Sequence, residues 1–169
     1  MEDIFEPGSR YQRLLEEFRQ VMHTNEVKLV ETYLLFLQVA EESFDDRQAF
    51  FDRFTLSEGK AGVLMLLKES GQSTPSELAE ALGVTPGTIT GLLAGLERSG
   101  LIRREEHPID RRKATITLAP GTRAFFEQVL AERFRHIEEI LSAFTPQERE
   151  QLRALLIKLH QRFLDGSSS

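Results

Sequence analysis

The stretch from Thr74 to Arg104 reads TPSELAEALGVTPGTITGLLAGLERSGLIRR, and its punctuation decides the fold. Thr74 precedes a proline and stands three residues before Glu77. That is a capped helix start: the hydroxyl accepts from a free N–H, proline needs no donor at the first position, and the glutamate reaches back to the cap. The helix it opens, 75–82, is short and turns Leu78, Ala79 and Leu82 inward. Gly83-Val84 reverses the chain, and Thr85-Pro86 opens a second helix with Ile89, Leu92, Leu93 and Leu96 inward, ending at Ser99-Gly100. Two short helices so joined form a helix-turn-helix, in which the first holds the second proud of the surface. The outer face of the second helix then carries Pro86, Gly87, Thr88, Thr90, Gly91, Ala94 and Gly95, small residues that let a partner approach the backbone. Thr85, Thr88 and Thr90 bring hydroxyls that can donate to phosphate, and a helix N-terminus offers unpaired N–H groups to an anion.

After Gly100 the hydrophobic period shifts from that of a helix to that of a strand. Leu101–Glu106 and Lys113–Leu118 read as two strands, the second alternating Ala114, Ile116 and Leu118 against Lys113, Thr115 and Thr117. Between them His107-Pro108-Ile109-Asp110-Arg111-Arg112 forms a hairpin tip. A hairpin directly after a groove-reading helix is a wing, and an arginine at its tip can enter a narrow minor groove, where the potential is most negative. Asp110 is placed to pair with Arg112 and fix its direction. Charge supports this reading. The net charge is −6, but residues 1–54 carry twelve Asp/Glu against six Lys/Arg, whereas 98–113 carries Arg98, Arg103, Arg104, Arg111, Arg112 and Lys113 against three acids. The residues expected to meet double-stranded DNA are Thr85, Pro86, Gly87, Thr88, Thr90, Gly91, Arg98, Arg111, Arg112 and Lys113, with Asp110 orienting the wing.

Outward from this centre the chain reads as helices. Tyr11, Leu14, Leu15, Phe18, Val21 and Met22 mark one apolar face over 11–22. Thr24 or Asn25 caps a helix running to about Glu42 that is apolar nearly all round, so it should be covered on more than one side, most simply by a second chain. A short helical piece at Asp46–Arg53 turns Phe50, Phe51 and Phe54 inward. Thr55-Leu56-Ser57-Glu58 offers a capping box for a helix to Ser70 with Ala61, Leu64, Met65 and Leu67 as its stripe, closed by Gly71. Pro120 begins a long helix with apolar residues from Phe125 to Phe144, and Thr145-Pro146-Gln147-Glu148 caps a last one with Leu152, Leu155, Leu156, Leu159 and Phe163 on one face. The expected fold class is mainly α (α+β): a winged helix-turn-helix with long N- and C-terminal dimerisation helices and one β-hairpin wing. Its expected division is N-terminal helices at 1–54, a DNA-binding domain at 55–119, C-terminal dimerisation helices at 120–165 and a flexible tail at 166–169.

Thr55 to Leu118 resembles the MarR family of bacterial transcriptional regulators. The likeness rests on Leu78-Ala79-Glu80-Ala81-Leu82-Gly83-Val84, on Thr88-Ile89-Thr90-Gly91-Leu92-Leu93, and on Leu96 through Arg104. Its most telling part is Asp110-Arg111-Arg112, followed six residues later by Leu118. With the flanking helices it extends over about 25–165. The resemblance implies a homodimer with interlocked terminal helices and two winged lobes presented to a pseudo-palindromic operator. It also implies a repressor, less often an activator, released by a small aromatic or lipophilic effector bound between the dimerisation helices and the winged lobe. Three departures stand out. Gly91 and Gly95 occupy positions where family members often carry arginine or another large polar residue. Ala119 replaces the threonine that usually caps the next helix. The first 20 residues exceed the usual family start.

Other function classes find little here. The absence of cysteine removes disulfides, thiolate metal sites and thiol nucleophiles. His23, His107, His136 and His160 show no ligand spacing, so no metal and no cofactor are expected. No nucleophile-base set or phosphate loop is visible, so no catalytic residues are expected. Met1 is followed by acidic residues, and the most apolar stretch, Tyr33 to Ala40, is too short for a bilayer span, so a cytoplasmic chain without membrane contact is expected. Tyr33, Phe36, Phe51, Phe54 and Met65 are candidates to line an effector pocket, and none of them is assigned as an effector-binding residue. The contrasting reading is a dimeric winged-helix interaction module that has lost DNA binding, suggested by the acidic N-terminal third and the two glycines of the second helix.

Overall fold

Helices flank a small sheet in the computed structural model, which describes residues 4–106 and 114–166. The elements are α1 (Arg10–Val21), α2 (Thr24–Asp52), α3 (Glu58–Ser70), β1 (Gln72–Ser73), α4 (Pro75–Leu82), α5 (Pro86–Arg98), β2 (Ile102–Glu106), β3 (Ala114–Leu118), α6 (Thr122–Leu141) and α7 (Pro146–Gly166). The class is therefore the mainly helical winged architecture that the sequence predicts. Local chemistry sets most boundaries. Thr74 and Glu77 close the capping box of α4, with Thr74 N–H donating to Glu77 Oε2 at 2.7 Å. Thr145 and Glu148 do the same for α7.

Several expectations need correction. The segment read as two helices, to Glu42 and again from Asp46, is one helix of 29 residues, capped by His23 rather than by Thr24 or Asn25. Its polar middle contains neither glycine nor proline, and Gln38 hydrogen-bonds Glu42 across one turn at 2.7 Å, so nothing there breaks the helix. The cap of α3 is Ser57, which accepts from Lys60 N–H, while Thr55 takes a left-handed backbone with φ 57°. Along α3, Ala61, Leu64 and Leu67 are buried as expected, but Met65 faces solvent and Val63 is fully buried instead. The sheet has three strands in the order β1-β3-β2, not a bare hairpin: Gln72 and Ser73 pair antiparallel with Thr117 and Ile116. With β1 on its free edge and α4 nearby, β3 buries Thr115 beside Ile116, which breaks the predicted alternation. As the missing threonine at 119 implied, α6 starts on Gly121 without a side-chain cap.

Two apolar clusters result. The larger gathers Phe50, Phe51 and Leu56 with the inner faces of α3, α4 and α5, Ile116, Phe126 and Val129. The smaller holds Phe5, Tyr11, Leu15 and Leu34, where α1 lies on α2. Helix α2 serves both. Its C-terminal end is tied to α6 by Asp46, which accepts from Arg133 at 3.0 Å and pairs with His136 at 2.6 Å. The Phe50 ring stacks on His136, and the Arg133 guanidinium lies over Phe50. No residue of α7 is buried within the protomer, and Leu155, Leu156, Phe163 and Leu164 are among its exposed side chains.

The hydrogen bond with His136, reinforced by Arg133 and opposed by partial burial, holds the Asp46 carboxyl below the ordinary carboxylate range. A depressed native pKa contributes stability above the unfolded value of about 4 and loses it as pH falls through the native value. Asp46→Asn is expected to cost about 1 kcal/mol at pH 7. Urea titrations of both proteins should show that gap closing progressively below about pH 4.

Candidate nucleic-acid interface

The exposed surface of α5 is built from the turn before it. Gly83 adopts φ 63°, ψ 33°, a left-handed conformation that a residue with a Cβ enters at a cost of about 1–2 kcal/mol. Val84 N–H then bonds Ala79 carbonyl at 3.0 Å, ending α4 and directing the chain into Thr85. Thr85 caps α5: its Oγ1 accepts from Thr88 N–H at 3.2 Å, and the two threonine hydroxyls lie 2.9 Å apart. Pro86 fills the first helical position. On the inner side Ile89, Leu93 and Leu96 are buried against the core. Thr85, Pro86, Gly87, Thr88, Thr90, Gly91 and Arg98 are all exposed. At about 100° per residue, Gly87, Gly91, Ala94 and Arg98 form the outermost row.

The hydrogen bonds of this surface differ from expectation. Thr90 hydroxyl donates to Pro86 carbonyl at 2.7 Å, so its proton is already used. Thr85 and Thr88 share one donor between them, leaving a single hydroxyl proton free for a phosphate. Thr88 N–H is capped and Ile89 N–H bonds Thr85 carbonyl, so Gly87 N–H is the first-turn donor without a partner among the described residues. Gly95 is not on the outer face. It is buried, and a Cβ built there would stand 2.9 Å from Lys60 Cε on α3. Gly91 has open space around it.

The wing rises from β2 and β3, paired antiparallel from Ile102 opposite Leu118 to Glu106 opposite Ala114. Arg103 and Arg104 are exposed on β2, and Arg104 lies 4.0 Å from Glu97 of α5. The tip, with Asp110, Arg111, Arg112 and Lys113, falls outside the described residues. Among the described residues no group of three or more His, Asp or Glu side chains is placed to hold a metal ion, and no helix is long and apolar enough to cross a membrane. Of the five residues considered for an effector pocket, Met65 is exposed and the other four separate into two groups. Tyr33 lies near Phe36, which stacks on Phe163 of α7, whereas Phe51 and Phe54 pack around Phe50 in the main core. An apolar groove of about 520 Å³ lies instead between α6 and α7, lined by Leu141, Leu152, Leu156, Ile157 and His160 with Arg149 and Arg153 at its side. The Asp46–Arg133–His136 cluster escaped sequence reading because its members lie some 90 positions apart.

Residues 56–114 match the profile described as the MarR family. The chain is 33% identical over 135 residues to the HTH-type transcriptional repressor YetL of Bacillus subtilis, covering 79% of this chain and 81% of that one. It is 30% identical to the HTH-type transcriptional regulator PecS of Dickeya dadantii, covering 69% and 72%. In three dimensions it resembles the crystal structure of the YusO protein of Bacillus subtilis with a TM-score of 0.69 at 28% identity, over 83% of this chain and 99% of that one.

The glycines of α5 and its turn make separable predictions. Gly91→Ala should raise stability by up to about 1 kcal/mol through helix propensity, having room for its methyl. Gly83→Ala should lower it by about 1–2 kcal/mol through the left-handed backbone. Denaturant midpoints at constant m-value measure both.

Proposed function

We propose a mode of action from the fact that this chain belongs to the MarR family and is a DNA-binding transcriptional regulator. It acts as a homodimer on a pseudo-palindromic operator and represses until a small aromatic or lipophilic effector lowers its affinity. The observation that carries the reading is the outer row of α5, where Gly87, Gly91 and Ala94 offer almost bare helix backbone beside the exposed Arg98. A helix so thin can enter a major groove about 12 Å wide more deeply than one clothed in long side chains. Readout then depends on close fit, on the Thr85–Thr88 hydroxyl pair and on the Gly87 N–H. The wing supplies the electrostatics through Arg111, Arg112 and Lys113, with Asp110 orienting Arg112.

Dimerisation is supported by α7, which buries no residue in its own protomer and exposes Leu155 and Leu156, and by the exposed Phe134, Ile137 and Ile140 of α6. The reading as an interaction module without DNA binding is not favoured, since the chain's relatives are transcriptional regulators and its basic residues remain gathered about α5 and the wing. Membership of a family of regulators argues against an enzyme.

Selection of bound fragments from sheared genomic DNA tests the function. Enrichment of inverted repeats with half-sites about 34 Å apart, one helical turn, is the expected result. Recovery of random fragments at every salt concentration would remove sequence-specific regulation. Titrating aromatic carboxylates against a recovered fragment then tests effector release. Arg112→Ala is expected to weaken binding to such a fragment at least ~5-fold at physiological salt, the loss of a charge-assisted contact, while sedimentation still reports a dimer. Unchanged affinity in a mobility-shift titration would refute the wing assignment.

A further inference from the structure

We propose that Lys60, a residue of α3, is a DNA-phosphate contact seated in a notch that Gly95 opens in the flank of α5. The inference rests on the reading of α5 as the groove-facing helix. Gly95 is buried although it has no side chain, and what covers it is the Lys60 stem. Lys60 Cε lies 2.9 Å, and Nζ 3.5 Å, from the point where a Cβ of residue 95 would stand. Any residue but glycine would displace the lysine.

The ammonium is left without an acid. Among the described residues no carboxylate lies within ion-pair distance of Lys60, and its one polar neighbour is the Thr55 carbonyl oxygen, 3.5 Å from Nζ. Glu58, two residues before it, pairs with Arg47 at 3.2 Å, and Glu97, two residues after Gly95, lies against Arg104. Thr55 itself holds φ 57°, a strained conformation for a β-branched residue, in the turn that carries this carbonyl.

Position gives the charge its use. At about 100° per residue, Gly95 and Thr88 lie on the same flank of α5, some 70–90° from the outer row of Gly87, Gly91, Ala94 and Arg98. A helix in the major groove has its outer row toward the base edges and its flanks toward the phosphate walls. Helix α5 has no cationic side chain before Arg98. Lys60 places one beside its flank without adding bulk to the groove-facing surface, so close approach and phosphate neutralisation come from different helices.

Phosphate contacts release counterions, so the slope of log K against log salt reads them directly. The test uses the full-length protein, a fluorescein-labelled mixed-sequence duplex of about 30 base pairs, and anisotropy titrations over several potassium chloride concentrations. Lys60→Met keeps the stem and removes the charge. It is expected to weaken binding several-fold at low salt and to flatten the slope by about 0.9 per protomer. Lys60→Arg should restore the slope, and Lys68→Met, at the other end of α3 beside Glu127, should leave it unchanged. Gly95→Ala should behave like Lys60→Met and add nothing to it in the double variant. Thermal melts verify that each variant folds. A wild-type slope in Lys60→Met, with Arg112→Ala still flattening it, overturns the inference and leaves DNA binding standing. Absence of salt-dependent duplex binding by the unaltered protein overturns both.

Discussion

Helix α5 cannot hold itself together. Three of its thirteen residues are glycine, at 87, 91 and 95, and each weakens a helix by about 1 kcal/mol relative to alanine. A segment so short is marginal in water even with better helix formers. What holds it is its inner face. Ile89, Leu93 and Leu96 are almost wholly removed from water among Leu64, Leu67, Leu78 and Phe126, and burial of such side chains contributes about 1.5–3 kcal/mol each. The sheet leans on the same cluster through Ile102 and Ile116. The outer surface of α5 is thus a product of tertiary packing, and the small residues that would spoil an isolated helix become affordable on its outer side.

That arrangement shifts the electrostatics away from the helix. The protein as a whole is acidic, and α5 carries one cationic residue, Arg98, at its end. Positive charge comes from neighbouring elements: Arg103 and Arg104 from β2 and Lys60 from α3. Shape and charge are therefore under separate control. On the proposed mode of binding, a change in the wing would alter attraction to phosphate without disturbing the fit of the helix, and a change at Gly87, Gly91 or Ala94 would alter fit without removing charge.

Much of this was legible in the sequence because it is written locally. The Thr74–Glu77 box, Pro75, Gly83 and the Thr85-Pro86 start fix both helices of the motif to the residue. The period-two strands on either side of the Asp-Arg-Arg segment announced the pairing of β2 with β3. What escaped depends on residues far apart in the chain. Gly95 has the pattern of an exposed small residue until Lys60, 35 positions earlier, is laid across it. The two-residue strand β1 is too short to show a period, yet it makes β3 central and buries Thr115. Asp46 reads in sequence as the start of a short helical piece, and only the approach of α6 makes it a partner of Arg133 and His136.

The unbroken course of α2 has a mechanical consequence. One rod enters both apolar clusters, with Leu34 in the smaller and Phe50 in the larger. Those residues are sixteen positions apart, about 24 Å along a helix axis. Side chains in close-packed clusters resist compression, so tilting the rod moves its ends instead of being absorbed between them. A tilt of about 5° at the Leu34 end carries the Phe50 end through about 2 Å, given that rise per residue. Phe50 touches His136 and Phe54, and Phe54 touches Phe125, so α6 lies at the output of a lever whose input is the seat of α1.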